Sequence, residues 1–425
     1  MKRSDFGTLV PIILSALILV NLPSAFAQIP ASISFSGKGY GHGVGMSQIG
    51  ARGLALAGDT ATAIINYYYP GSEVMPLTDD QILRVNIGHQ LTAASLKSDS
   101  PGASLQLISG DDIEPQVISV LAAKDSIRLT VSGKQVAITT TQVGITTVLT
   151  PVDQLTIRWS GTRYLAGIDA VLSLTHTKKT NRYRYGQIQV KVIKDAKLGN
   201  RLAIVNQVRL HDEYLWGISE VPSSWPAAAL EAQAIASRSY AMSKVGKIQN
   251  SCDCELYSSI KDQNFAGFAK EAELKWGQIW KAAVSRTSIT ETTGLTVTRN
   301  AAPIRTYFGS STGGVTETSK NAWGSDVGYT FSVPDPWSID PKLNPSFYRW
   351  KREIPQSVLV TAFGLPDVAS VKILTLNETG TVKVIEAISS KGKKVKLSGE
   401  TFRSRSKLPS TWFSLTNEEL ISVKN

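Results

Sequence analysis

The stretch HDEYLWGISEVPSSWPAAALEAQAIASRSY, from His211 to Tyr240, predicts an extended segment, a sharp turn and then a helix rich in small residues. The turn is predicted at Val221-Pro222. Pro226 suits the first turn of a helix, Ser223 or Ser224 is a suitable cap, and Gly246 a suitable end. One face of this helix carries Ala227, Leu230, Ala234 and Ala241.

One carboxylate, Glu220, lies at the turn beside Val221, Pro222 and Trp225. Apolar neighbours disfavour the charged form of a carboxyl, which suits a general acid near neutral pH. The other interpretation is an exposed or salt-bridged glutamate that precedes a helix. The residues alone leave both open.

The composition is that of a globular protein with a sizeable core. Hydrophobic residues make up 42% and charged residues 19% of the 425 residues, which argues against wholesale disorder. The formal net charge of +11 is dispersed along the chain. Such a surface suits nucleic acid, a membrane or an anionic cell wall, and it also serves simple solubility.

The first 27 residues have the pattern of a secretory signal peptide. Lys2 and Arg3 precede an apolar run from Leu9 to Leu22, and Ala25-Phe26-Ala27 provides small residues for cleavage after Ala27. A retained anchor helix is the alternative, although the run is short for a full span. We therefore expect a secreted protein, which makes a wall polymer the favoured partner and argues against nucleic acid.

Period-two alternation dominates the chain from Ile82 to Val208 and predicts β-strands with one face buried. Two helices are predicted before it. The first is capped by Ser47, runs to about Ala57 and is ended by Gly58, and the second is capped by Asp59. The apolar face of the second helix consists of Ala61, Ile64, Ile65 and Tyr68. The fold class we predict is α+β, mostly antiparallel β with a few packed helices around a groove.

Polar residues in two turn segments are candidate ligand-binding groups. His42 lies in the glycine-rich segment Gly41–Gln48, where an exposed imidazole can bond a sugar hydroxyl; the alternative is a histidine buried against its own loop. Ser47 is most simply a helix cap, and Gln48 can bond a ligand amide. Ser311 and Thr312 form either a polar groove wall or a tight turn.

Aromatic and cysteine residues leave further alternatives. Trp323, Trp337 and Trp350 suit either a sugar-binding groove or the core. Cys252 and Cys254 are separated by one residue, so they are either two thiols or a strained local disulfide of little functional weight. A metal site there would need further ligands, and no histidine is near in the sequence.

Taken together, these motifs resemble the stage II sporulation protein D and amidase-enhancer family of bacterial wall proteins. The resemblance rests mainly on two long motifs. One comprises Glu220-Val221-Pro222, Trp225-Pro226, Ala232-Gln233-Ala234 and Arg238-Ser239-Tyr240, and the other is Gly41–Gln48. Tyr67–Gly71 and Ser311–Gly314 also match. It implies the substrate-binding candidates His42, Ser47, Gln48, Arg238, Tyr240, Ser311 and Thr312.

The order of the motifs departs from the family, in which the glycine-rich segment normally comes last. The sequence resembles a circular permutation of the family domain, which is tolerated where natural termini are close and exposed. We therefore expect Ile33–Gly45 to lie beside Trp412-Phe413, with His42 facing Glu220 across a groove. The predicted divisions are a signal peptide (1–27), the permuted segment (28–76) and a β-rich region (77–200). The fourth division, residues 201–425, contains the catalytic motif and a C-terminal β segment. It is predicted to form one structural unit with residues 28–76.

The resemblance implies a lytic transglycosylase that cleaves peptidoglycan glycan strands with Glu220 as the catalytic acid. The acid protonates the glycosidic oxygen, and its conjugate base then takes a proton from the muramic C6 hydroxyl to close a 1,6-anhydro ring. No cofactor is required, and zinc is not carried over because the accompanying histidine is missing. The second interpretation is a non-catalytic, wall-binding enhancer of a partner amidase. The sequence leaves the oligomeric state open.

Overall fold

The computed structural model describes residues 29–110 and 115–416. The predicted signal peptide, residues 1–27, lies outside the described residues. Within them, no helix is both long and apolar enough to cross a membrane.

Strands are the commonest secondary structure among the described residues, as the alternating patterns predicted. In chain order the strands are β1 (Ser32–Gly37), β2 (Met46–Ser47), β3 (Glu73–Thr78), β4 (Ile82–Leu91), β5 (Ala93–Ser98), β6 (Ser104–Ser109), β7 (Gln116–Ala122), β8 (Ser126–Ser132), β9 (Gln135–Gln142), β10 (Ile145–Val152), β11 (Gln154–Trp159), β12 (Leu172–His176), β13 (Lys179–Tyr183), β14 (Gln187–Asp195), β15 (Gly199–Arg209), β16 (Leu256–Tyr257), β17 (Ser288–Thr290), β18 (Thr293–Arg299), β19 (Ala302–Pro303), β20 (Phe308–Gly309), β21 (Trp350–Pro355), β22 (Ser370–Leu376), β23 (Val382–Ile388), β24 (Lys394–Ser398) and β25 (Phe413–Leu415).

The helices are fewer and most are short. They are α1 (Gln48–Ala57), α2 (Ala61–Tyr68), α3 (Ala227–Met242), α4 (Phe268–Glu271), α5 (Lys275–Arg286), α6 (Ser319–Trp323), α7 (Gln356–Phe363) and α8 (Gly399–Ser406), with a π-helical turn (Leu210–Tyr214) and a 3-10 turn (Pro336–Ile339). Strands and helices together confirm the predicted α+β class.

Two large sheets share one core. The seven-stranded sheet has the order β16-β4-β15-β14-β11-β6-β7, and the six-stranded sheet has the order β10-β9-β8-β5-β12-β13. Neighbouring strands are antiparallel except β16 and β4. Ile127 and Leu129 from one sheet and Ile188 and Val190 from the other are fully buried in the same apolar cluster. This is the result expected when the apolar face of each sheet is removed from water.

The polar side of β14 is buried as well, which differs from the predicted half-buried strand. Gln187 and Gln189 are 2% and 4% exposed. The Gln187 amide donates to Gln207 on the neighbouring strand at 2.6 Å, and its oxygen accepts from Arg158 at 2.8 Å. The amide and the oxygen of Gln187 are thus both bonded despite their burial, whereas the Gln189 oxygen has no partner among the described residues.

Helix α3 packs against elements on both of its sides because its residues are small. Leu230 and Ala234 belong to the core between the large sheets, whereas Ala232 and Ile235 pack with Ile64 of α2. Two sequence expectations about the ends of α3 were wrong. Pro226 itself occupies the cap position without a side-chain bond, so neither Ser223 nor Ser224 caps the helix, and the helix ends at Met242, before Gly246.

Two further local expectations need correction. Ala227 is exposed, so it is not part of the packed face of α3. The chain at His211 is a π-helical turn and not an extended segment. The Glu213 carboxylate explains this turn, because it accepts the backbone N–H of Arg209 at 2.8 Å and so holds the chain in a closed loop.

The first two helices are largely as predicted. Ser47 caps α1 by accepting the Gly50 N–H at 3.0 Å, and Gly58 ends it in the left-handed conformation. The cap of α2 is Thr60 and not Asp59, since the Thr60 hydroxyl accepts the Ala63 N–H at 3.2 Å.

The start and end of the described chain lie side by side. Strand β1 pairs with both β21 and β25, with Gly37 opposite Phe413, and the Lys38 N–H donates to the Trp412 carbonyl at 3.0 Å. The expected proximity of Ile33–Gly45 to Trp412-Phe413 is therefore confirmed. The circular permutation that suggested it stays a hypothesis.

Cys252 and Cys254 form a disulfide and are both fully buried beside Val205 and Tyr257. Among the described residues, no group of three or more His, Cys, Asp or Glu side chains is arranged to hold a metal ion.

Candidate active site

Glu220 lies in the turn before α3, where a second loop holds its carboxylate. Its Oε1 accepts the Asn264 N–H at 2.6 Å. Two further bonds clamp the loops together, because the Asn264 side chain donates to the Ser219 carbonyl at 2.7 Å and the Ser219 N–H donates to the Asn264 carbonyl at 2.8 Å. The position of the carboxylate is therefore fixed by the Asn264 N–H and by the bonds that join the two loops.

Glu220 is half-buried, and burial raises its pKa above the ordinary glutamate value. Bonds from the Asn264 N–H and the Gln48 amide act in the opposite direction because they stabilise the charged form. The direction agrees with the expectation from the apolar neighbours. A carboxyl in this state exchanges a proton more readily near neutral pH than an exposed glutamate does.

Gln48 connects the glycine-rich segment to this carboxylate. Its amide donates to Glu220 and to the Gln233 side chain of α3 at 3.2 Å, and Gln233 in turn donates to Ser237 at 3.0 Å. The contact exists because α1 packs against α3. Two motifs that are far apart in the chain thus meet at one carboxylate.

An open cavity of about 490 Å³ lies beside Glu220 and is lined by Lys270, Glu273 and Trp276, among others. Glu273 is a second carboxylate in this cavity. It accepts from Lys270 at 3.3 Å, and Lys270 also donates to the Val221 carbonyl at 3.1 Å. Trp276, which is 38% exposed, presents an aromatic surface of the kind that packs against sugars.

Asn264 and Glu273 were missed by the sequence analysis. Both lie more than forty positions after Glu220 in the chain. No sequence motif with a fixed spacing to Glu220 indicates that they are near it. A signal for Glu273 would have been an acidic residue three positions before an exposed tryptophan, but an acidic residue just before a helix such as α5 also stabilises the helix.

His42 is in the glycine-rich loop but has no contact with Glu220 among the described residues. Its Nδ1 accepts the Val44 N–H at 3.0 Å, and its ring meets the edge of Trp323 at 5.1 Å. Burial, with a smaller contribution from Arg403, lowers the pKa of His42 to about 4. Glu220 and His42 line different cavities. The structure therefore does not show the two residues facing each other across a groove, and this pairing stays a prediction.

Ser47, Ser311 and Thr312 are buried, with 1–3% of their surface exposed. The Ser47 hydroxyl bonds Ser338 at 3.0 Å in addition to capping α1, and the Thr312 hydroxyl donates to Asp335 at 2.7 Å. The backbone of Ser311 pairs with Tyr40, while its hydroxyl has no bond within the described residues. In this structure these groups support the glycine-rich loop and do not face the cavity at Glu220.

Arg238 and Tyr240 support α3 from within the fold. Arg238 is fully buried and donates to Asp79 at 2.6 Å, and the other Asp79 oxygen bonds His211 at 2.6 Å. The Tyr240 hydroxyl donates to Asp262 at 2.8 Å. The expectation that Arg238 contacts a glycan does not fit this position, because a guanidinium without exposed surface cannot reach a polymer; we therefore leave Arg238 out of the proposed substrate contacts.

The segment that carries Glu220 and α3 lies within the part of the chain that matches a family model. Residues 199–298 match the family model described as SpoIID, stage II sporulation protein. This match supports a relation to the stage II sporulation protein D and amidase-enhancer family. It is 28% identical over 194 residues to stage II sporulation protein D of Bacillus subtilis (strain 168), across 44% of this chain and 56% of that protein.

Two other proteins show the extent of the similarity. A stage II sporulation protein D of Bacillus amyloliquefaciens is 26% identical over 197 residues, and the amidase enhancer of Bacillus subtilis (strain 168) is 59% identical over 39 residues, which are 9% of this chain and 6% of the enhancer. The chain thus matches about half the length of the sporulation relatives. No solved structure matches it.

The structure adds the glycine-rich segment to the matched family domain. Gln48 lies outside residues 199–298 yet contacts Glu220 and Gln233 within them. A segment from near the start of the described chain therefore contributes a contact to the candidate site.

Proposed function

We propose that the protein is a secreted, peptidoglycan-active lytic transglycosylase that uses Glu220 as its single acid and base. The observation that carries the proposal is a half-buried carboxylate, with its pKa raised by burial, fixed beside an open cavity of about 490 Å³. The predicted signal peptide supports secretion, and the family relation supports a role at the cell wall.

In the proposed reaction the protonated Glu220 gives its proton to the oxygen between N-acetylmuramic acid and N-acetylglucosamine, and that bond breaks. The resulting carboxylate is stabilised by the Asn264 N–H and the Gln48 amide. It then takes the proton of the muramic C6 hydroxyl as the C6 oxygen bonds to C1. The proton balance is closed and no water is consumed, so a hydrolase's second carboxylate is not required.

A second function is favoured by one specific observation. The 59% identity over 39 residues to a protein named amidase enhancer is higher than the identity to the sporulation proteins. In this alternative the protein binds glycan strands without cleaving them and stimulates a cell-wall amidase.

Product analysis separates these functions. Purified protein is incubated with peptidoglycan and with peptide-free glycan strands, and the products are weighed by mass spectrometry. We expect products that end in 1,6-anhydro-muramic acid, which are lighter by one water than hydrolysis products. No turnover on either substrate, together with stimulation of an added amidase, would establish the enhancer function instead.

Glu273 provides a test of the single-carboxylate mechanism. If Glu220 alone carries the protons, Glu273→Gln should change the rate of anhydro product formation by less than about tenfold, because only sugar positioning and the Lys270 contact are altered. A loss of about a hundredfold or more, with reducing-end products in the wild type, would indicate a two-carboxylate hydrolase.

A further inference from the structure

A second groove lies beyond the other end of α3. It has a volume of about 710 Å³ and is formed by the residues that follow α3 and by the hairpin of β18 and β19. We call it the basic groove and define it by Lys247, Arg299, Arg305, Tyr307 and Tyr329, which line it together with smaller and apolar residues. No acidic side chain lines it.

The three cations of the basic groove form no ion pair within the described residues. Arg299 donates to the Gly328 carbonyl, and Lys247 donates to the Ser243 carbonyl at 2.7 Å. The Arg305 guanidinium makes no hydrogen bond there and lies 6.0 Å from the centre of the Tyr307 ring.

Several other half-buried or buried arginines form ion pairs, whereas the half-buried Arg52, Arg158 and Arg201 bond only neutral groups. Arg84 pairs with Asp253, Arg163 with Glu213, and Arg238 with Asp79. Three unpaired cations at one concave site repel one another, which is a cost that a bound anion removes. The groove therefore has the charge and shape of an anion site.

The basic groove and Glu220 lie near opposite ends of α3, because Glu220 precedes the helix whereas Met242, its last residue, lines the groove. The 16 residues of α3 span about 24 Å. Only a glycan of several sugars could therefore contact both Glu220 and the cations.

We propose that the basic groove is an anion-binding subsite for carboxylates carried by the muramic acid residues of the bound glycan. This inference rests on the proposed function, since it concerns the same substrate. A guanidinium presents paired N–H donors that match a carboxylate, and the tyrosine rings offer faces against which a sugar or peptide packs. The carboxylate has two sources: the free lactyl group of peptide-free strands, or the acidic groups of attached peptides.

Binding is measured with three soluble ligands of equal sugar number: a peptide-free glycan oligosaccharide, a glycopeptide, and a chitin oligosaccharide without carboxylates. The full-length protein carries Glu220→Gln so that ligands remain intact. Into this background we introduce Arg299→Gln with Arg305→Gln. The matched control is Arg128→Gln, an exposed arginine on β8 that has no ion pair among the described residues.

We expect the double variant to bind the carboxylate ligands at least about tenfold more weakly and the chitin oligosaccharide equally well, as two charge-assisted bonds are lost. The difference should shrink as salt is raised. The glycan and glycopeptide arms identify which carboxylate is recognised.

Several results would overturn the subsite. These are unchanged affinity in the double variant, an equal loss for the neutral ligand, or groove-dependent binding of a phosphodiester wall polymer alone. Thermal melting of both variants controls for folding. Lys247→Gln is an independent variant that removes the exposed cation of the same groove. If the wild type cleaves no glycan but groove-dependent binding persists, the proposed catalysis fails while the subsite stands.

Discussion

Replacing Glu220 with glutamine should abolish glycan cleavage while leaving the turn intact. The glutamine side-chain oxygen can still accept the Asn264 N–H that Glu220 accepts at 2.6 Å. The bonds between Asn264 and Ser219 involve neither carboxylate oxygen. The substitution therefore removes the transferable proton and little else.

The size of the expected loss follows from the role of the group. General acid–base catalysis contributes about 10²–10⁴-fold, or roughly 2.7–5.4 kcal/mol of barrier. Because one carboxylate serves as acid and then as base in the proposed reaction, we expect a loss near 10⁴-fold. The assay follows the rate of anhydro product formation by mass spectrometry.

The same variant has a distinct effect on stability. Burial raises the folded-state pKa of Glu220, so its protonated form favours the folded protein, and this stabilisation is lost as pH rises through the folded pKa. Glutamine does not titrate. At neutral pH the variant should therefore melt no lower than the wild type, and the difference should disappear below the ordinary pKa of 4.5.

Two outcomes would refute this reasoning. Cleavage within a few-fold of wild type would show that Glu220 is not the proton donor. A large drop in melting temperature at neutral pH would show that the carboxylate is structural, and that any loss of activity reflects unfolding.

Three further predictions concern the framework around the site. Arg238→Met should destabilise the fold by about 3–5 kcal/mol in chemical denaturation, because the buried Asp79 carboxylate loses its arginine and keeps only the His211 contact. The surface control Arg286→Gln should cost less than about 1 kcal/mol; equal effects would contradict the buried-pair argument. Gly45→Ala should lower the free energy of unfolding by about 1–3 kcal/mol more than Gly58→Ala does. Both glycines have positive φ, but only at Gly45 would the new methyl group meet a backbone oxygen, at 2.0 Å; matching unfolding midpoints would disprove this. Because the pKa of His42 is lowered to about 4, the neutral ring stabilises the folded state above pH 6.5, and this stability is lost as pH falls toward 4. His42→Gln should therefore flatten the dependence of the unfolding free energy on pH over that range, and an unchanged slope would be contrary evidence.

The local features of the fold could be predicted from the sequence because short-range rules govern them. Alternating residues in β8 and β14 gave the strands, and the Ser47 hydroxyl and Gly58 gave the bounds of α1. The apolar neighbours of Glu220 gave the direction of its pKa shift. Each depends on residues within a few positions of one another.

The caps of α2 and α3 were mistaken for a related reason. Several neighbouring residues can each serve as a cap, and small differences in backbone direction choose between them. Thr60 was therefore favoured over Asp59, and Pro226 over the preceding serines.

Sequence by itself determined the strand pattern, the small-residue helix, the family motifs and the apolar setting of one glutamate. Only the tertiary structure decided that Gln48 reaches Glu220, that Glu273 shares its cavity, that Arg238 is enclosed, and that three cations line one groove without counter-charges. The physical reason is that such contacts join residues distant in the chain. They depend on how whole sheets and helices bury their apolar faces against one another, and no spacing along the chain records that packing.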